Sequence, residues 1–139
     1  MVEQQKQELA ECPEQADSWV LLVVADMYAQ HYEEAYDLVQ QAMERFPEEW
    51  ELTIHACNIA RQLEKYPEAI RYADRAIAMR PAYVDGMYEK SWCYEKMGKH
   101  REAGRLCLEI AEALKRDGFE VEAETEFRNA RKLLEQAET

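Results

Sequence analysis

The sequence predicts an all-α fold in which helix pairs stack into a solenoid, and three observations predict it. First, a pattern recurs every 34 residues: Glu34-Ala35, Glu68-Ala69 and Glu102-Ala103 stand one period apart, as do Pro13, Pro47 and Pro81, and Tyr32, Tyr66 and His100. A fixed period of this size marks stacked repeats, in which no unit can bury its apolar face alone. Second, 139 residues contain only four Gly and four Pro, too little punctuation for many strands and turns. Third, small residues recur at helical spacing inside the echoes, as in Ala35, Val39 and Ala42, a pattern that lets two helix backbones approach closely.

Taken in order, residues 1–12 read as the tail of a partial helix, with Val2 and Leu9 its only sizeable apolar residues before Cys12. Such a thin stripe leaves its early turns prone to fray. Asp17 or Ser18 is expected to cap the next helix by accepting from orphan backbone N–H groups. That helix, about residues 18–29, carries three apolar stripes: Trp19, Leu22 and Val23; Val20, Val24 and Met27; Leu21 with Tyr28. A helix apolar on so many sides needs cover on more than one. After a turn at Gln30-His31, the second helix (32–45) presents Ala35, Val39 and Ala42. Pro47 closes the unit, because it disfavours helical geometry at Phe46.

The second unit repeats the plan. Its helices span about 49–63, with Leu52, Ala56, Ile59, Ala60 and Leu63 inward, and 67–79, with Ala69, Ala73, Ala76 and Ile77 inward. Pro67 suits a first helical turn, where no backbone N–H is needed. In the third unit the first stripe is Met87, Ser91, Tyr94 and Met97, and Gly98 is the expected C-cap. Its partner, about 101–116, turns Ala103, Cys107, Ile110, Ala111 and Leu114 inward. Lys115 stands where a further Pro would fall, so this helix can run on to Asp117-Gly118. The last helix, about 119–137, has Phe119, Ala123, Phe127, Ala130 and Leu134 on one stripe and charge on the other, including Glu122, Glu126 and Arg128. A polar outer face suits a cap on an open solenoid end. One domain is expected, with units at 13–47, 48–81 and 82–117 and a cap at 118–139.

A net charge of −12 argues against nucleic acid, whose phosphates need a basic footprint, and disfavours an anionic membrane surface. Residues 1–49 hold twelve acids and two bases. This is either a solvated acidic face, the simpler reading, or a surface for a basic partner. The N-terminus lacks the apolar core of a signal peptide, and the longest apolar run, Trp19 to Ala25, is too short to span a bilayer. Cys12, Cys57, Cys93 and Cys107 show no CxxC spacing, and Cys57 and Cys107 fall on core-facing positions. Reduced thiols in a cytoplasmic protein follow. Neither HExxH, GxSxG nor a glycine-rich phosphate loop occurs, and His31, His55 and His100 are scattered. The expectation is no catalysis, no metal and no cofactor.

These residues resemble the tetratricopeptide repeats, whose 34-residue pattern is W-x2-L-G-x2-Y, then A-x3-F, an Ala and Pro. The first unit matches with Trp19, Leu22, Val23, Ala35, Val39, Ala42 and Pro47. The second matches with Ala56, Cys57, Ala69, Ala73, Ala76 and Pro81, and the third with Tyr94, Gly98, Ala103 and Cys107. Asp26 departs from the family's Tyr, and Lys90 from an apolar residue. A lone buried charge is costly, so each is expected to reach a partner or water. The resemblance implies a right-handed superhelix whose first helices line a concave groove, in a protein that binds peptide segments or helices of other proteins and is not an enzyme.

Within that groove the expected residues are Val20, Val24 and Met27, then Ile54, His55, Asn58 and Arg61, then Tyr88, Trp92 and Glu95. Family members that clamp a C-terminal carboxylate use Lys, Asn and Arg in these places. Only Asn58 and Arg61 match, so a receptor for such tails is not favoured. The mostly apolar set suits an amphipathic helix or an extended apolar segment, with Tyr88 and Trp92 as anchors. The leading expectation is an adaptor. The alternatives are a chaperone, since the chain resembles in size and acidity the small repeat chaperones of type III secretion, or a subunit that self-associates, as a homodimer for example, through Leu21 and Tyr28.

Overall fold

The computed structural model describes residues 15–138. Among them are seven helices: α1 (Ala16–Tyr28), α2 (Tyr32–Arg45), α3 (Trp50–Gln62), α4 (Tyr66–Met79), α5 (Asp85–Lys96), α6 (His100–Arg116) and α7 (Glu120–Glu138). The partial helix expected at 1–12, with Cys12 and Pro13, lies outside the described residues. The all-α solenoid is borne out: each helix packs on the next, from α1 on α2 through to α7 on α6. No described helix is long and apolar enough to cross a membrane.

The period reappears in the backbone. Gln30, Glu64 and Gly98 take left-handed φ values of 62°, 61° and 77°. At each the chain reverses by the same device: the N–H of the following residue reaches back across the helix end, His31 to Asp26, Lys65 to Ala60 and Lys99 to Tyr94, at 2.8–2.9 Å. This closure satisfies carbonyls that the helix leaves orphaned. Helix starts differ from expectation. The N-cap of α1 is Gln15, and no side chain caps it. Asp17 lies inside the first turn instead, where its negative charge still favours the helix N-terminus.

The core runs along the pairs. Trp19 and Val23 share one buried cluster with Val39, Ala42 and Met43 and with Leu52, Ala56 and Ile59, and Leu22 is buried beside them in sequence. Two stripes require correction. On α5 the buried positions are Gly86, Glu89, Ser91 and Cys93, while Met97 is exposed. Gly86 sets that face: a Cβ there would stand 2.9 Å from Ile77 Cγ1, so only glycine lets α5 lie this close to α4. On α7, Ala123, Ala130 and Leu133 are buried, and Phe119 precedes the helix and is exposed. Gly104 allows α7 to close on α6, since a Cβ there would meet Leu134 Cγ at 2.8 Å. Lys90 reaches a partner as expected, its Nζ 2.7 Å from Asp74 Oδ1. Asp26 is buried, at 2% exposure.

Candidate functional site

The curvature of the stack identifies its inner face. The backbones of α1, α3 and α5 approach one another in succession, whereas those of α2, α4 and α6 stand farther apart and α2 meets α4 only through long side chains such as Tyr36 and Tyr72. Layers that meet on one side and splay on the other bend toward the meeting side, so α1, α3 and α5 line the concave surface. The fourth helix in this register is α7. It packs on α6, and its backbone stands off from α5, a gap that the hydrogen bond between Tyr88 and Glu126 bridges.

All ten expected groove residues lie on these inner helices. Val20, Val24 and Met27 on α1 are half-buried, as are Ile54, His55, Asn58 and Arg61 on α3 and Tyr88 on α5. Glu95 is exposed, and Trp92 is 42% exposed. Val20 and Met27 also pack against the core cluster, so part of their surface is already covered.

The structure joins several of these residues through one that the sequence reading did not single out. Glu89 is buried at 6% exposure on the α3-facing side of α5. It accepts from Asn58 Nδ2 at 3.1 Å and from Arg61 Nε at 2.8 Å. The Arg61 guanidinium also lies 5.0 Å from the centre of the Trp92 ring. Tyr88 stacks on Trp92, with ring centres 5.6 Å apart. Asn58 and Arg61 thus do internal work: they compensate a buried carboxylate and fix the aromatic pair. The available signal for Glu89 was register. It falls one period after His55 and two after Leu21, an acid where the earlier units have an aromatic ring or an apolar side chain.

The concave surface widens toward α7. One cavity of about 310 Å³ lies between α5 and α7, lined among others by Tyr88, Trp92, Glu95, Glu126, Asn129 and Lys132. A second, of about 610 Å³, adjoins Arg61, Trp92, Glu95, Lys96, His100 and Gln136. The contribution of α7 is a further correction. Glu126 and Asn129 fall one period after Trp92 and Glu95, so part of the polar face assigned to an outer cap turns into the groove.

Electrostatics at this end are negative. Burial and then the Glu126 carboxylate push the Tyr88 phenol up to about 12. Burial raises the Cys107 thiol, the hydrogen bond with Ser91 opposes this, and the charges of Glu126 and Glu95 add to the rise. Burial pushes the Cys93 thiol up to about 11 and raises that of Cys57, which donates to the Ala69 carbonyl at 3.1 Å. These thiols stay protonated and unreactive near neutral pH. Burial lowers the pKa of His55, against the opposing charges of Glu51 and Glu89. At the α1–α2 turn, Asp26, His31 and Glu34 bring possible metal-ligand atoms within 4.8 Å of one another. Two of the three are exposed, and the His31–Glu34 separation of 4.0 Å is that of an ordinary surface pair.

No family model matches the chain, and no curated protein matches it. Solved structures do. The translocator chaperone SycD of Yersinia enterocolitica type III secretion superposes with a TM-score of 0.78 at 13% identity, over 89% of this chain and 95% of that one. The Sgt2 TPR domain from Aspergillus fumigatus gives 0.75 at 18% identity, over 88% and 81%. MamA gives 0.70 at 20% identity, over 98% and 88%. At these identities the likeness is one of fold, and that fold is the tetratricopeptide repeat.

Proposed function

We propose that the chain is a cytoplasmic protein-binding scaffold, not an enzyme, and that its concave face holds an amphipathic helix or an extended apolar segment of another protein. The observation that carries this reading is Trp92. It is a large aromatic ring, 42% exposed on the inner face, held in place by Tyr88 and by an arginine that a buried carboxylate fixes. A half-open aromatic held by its neighbours on a concave surface has the character of a binding hot spot. Val20, Val24, Met27 and Ile54 extend the apolar track toward α1, with His55 at its edge, and Glu95 flanks it at the other end. Asn58 and Arg61 act here by holding the track in shape.

The test is capture of an identified partner by parent and variant chains. Trp92→Ala with Tyr88→Ala should weaken capture at least tenfold, about 1.4 kcal/mol, while the helical circular-dichroism signal is kept. Undiminished capture by a folded double variant would sink the groove.

A second reading is a chaperone. SycD is described as a translocator chaperone, and its fold is matched over 95% of its length. On this reading the same groove shields apolar segments until they are handed on. Co-expression separates the two: a chaperone keeps an aggregation-prone partner soluble, and a simple adaptor does not.

A further inference from the structure

We propose that the gap between α5 and α7 is a pocket for one cationic side chain, arginine or lysine, of the segment that occupies the groove. The inference rests on the groove reading above and specifies the chemistry of its occupant. Three observations support it.

The first is shape. The backbones of successive inner helices approach until α5; that of α7 is set back, joined to α5 through the Tyr88–Glu126 hydrogen bond, which leaves a cavity of about 310 Å³. That is room for a side chain and not for a second helix. The second is the lining. Tyr88 and Trp92 form one wall, and Glu95 and Glu126 supply carboxylates from α5 and α7. A cation over an aromatic face gains from the ring quadrupole, and a carboxylate within reach adds a charge-assisted hydrogen bond. The molecule already uses this combination where Arg61 lies over Trp92 while Glu89 holds its Nε, and again where Lys90 lies over Tyr94 and pairs with Asp74. Beside α7 the carboxylates of Glu95 and Glu126 stand without an arginine, and Glu126 is held by the Tyr88 phenol. The third is the field. The charges of Glu126 and Glu122 raise the Tyr88 phenol, and those of Glu126 and Glu95 raise the Cys107 thiol at the cavity floor. Lys132 also lines the cavity, yet the field at both groups is that of the carboxylates. A partner segment that is apolar along one face and carries one basic residue at its end matches this surface.

The experiment titrates the full chain with two acetylated, amidated peptides of the pattern Leu-Ala-Leu-X-Leu. X is arginine in one and citrulline, its neutral isostere, in the other. Binding is followed by tryptophan fluorescence and by nuclear magnetic resonance shifts of the α5 and α7 amides. The arginine peptide should bind about tenfold more tightly. Added salt should shrink the preference, and the Glu95→Gln/Glu126→Gln chain, isosteric with the parent and checked by circular dichroism, should abolish it. Equal affinities, tighter binding of the citrulline peptide, or a preference that survives in the double variant would each overturn the pocket. Equal affinities that are both lost in Trp92→Ala overturn the cation pocket alone and leave the groove standing. No binding by either peptide also overturns the pocket, and the partner-capture experiment then decides the groove independently.

Discussion

The Arg61 guanidinium donates to the Glu89 carboxylate at 2.8 Å across the α3–α5 contact, with 18% of the first side chain and 8% of the second in water. A pair this sheltered gains little over apolar residues of the same volume, yet it is costly to break from one side, because the surviving carboxylate stays buried with only the neutral Asn58 amide to hold it. Arg61→Met should therefore destabilise the chain by about 3 kcal/mol. Arg61→Met with Glu89→Leu should recover most of that loss. Urea denaturation of the parent, both single variants and the double closes the cycle. A double variant no more stable than Arg61→Met would show that the pair is not the source of the cost.

The turn residues make a second prediction. Gln30, Glu64 and Gly98 hold the same left-handed position in successive units, but only the third is glycine. A side chain there crowds the following carbonyl, by about 1–2 kcal/mol for an ordinary residue, partly offset by the greater unfolded-state freedom of glycine. Glu64→Gly should stabilise the chain by about 0.5–1 kcal/mol. Gly98→Ala should destabilise it by a similar amount, although nothing lies within 4 Å of the added Cβ. Thermal melts of the two variants should move in opposite directions. A Glu64→Gly melt below the parent would show that the Glu64 side chain contributes more than its backbone costs.

The period made the fold legible before any coordinates, because helix pairing, turn placement and small-residue faces all follow from one repeating unit. It did not make α5 and α7 legible in detail. Their buried faces are set by Gly86 and Gly104, and the absence of a side chain leaves no mark in a hydrophobic pattern. That the ten proposed groove residues lie on α1, α3 and α5 follows from register. Their roles do not, because Asn58 and Arg61 are ordinary polar residues until Glu89 is seen beneath them. The same register, carried one period past Trp92, reaches Glu126. Treating the last helix as a cap stopped it one unit short.

The third prediction concerns pH. Burial holds His55 below its ordinary pKa in the folded chain, while the unfolded chain takes up that proton near the usual value of about 6.5. Below that value the unfolded state binds the extra proton, so stability falls as pH drops. The loss begins at about pH 6.5, above the range in which most carboxylates titrate. Unfolding free energy measured in urea from about pH 7 to 5.5 should decline in the parent and decline less in His55→Leu. Parallel slopes in the two chains would remove His55 from the account.

The last prediction starts from register. Leu21, His55 and Glu89 are equivalent by one period, and Glu89 turns toward the inner helix before its own. Leu21 turns the same way from α1, where no earlier inner helix lies among the described residues, and it is 57% exposed. Tyr28, at 87%, follows two turns along the same helix. Two large apolar side chains on one open edge favour contact with another surface, and a second copy of the chain offers the same edge in return. Light scattering over a concentration series should show the parent gaining mass as concentration rises, and Leu21→Glu should hold it at the monomer. Glutamate costs little in the monomer because the position is exposed, so the variant should melt as the parent does. A parent that stays monomeric at every concentration excludes this edge as a self-contact, and mass gain that persists in Leu21→Glu moves the contact to another helix.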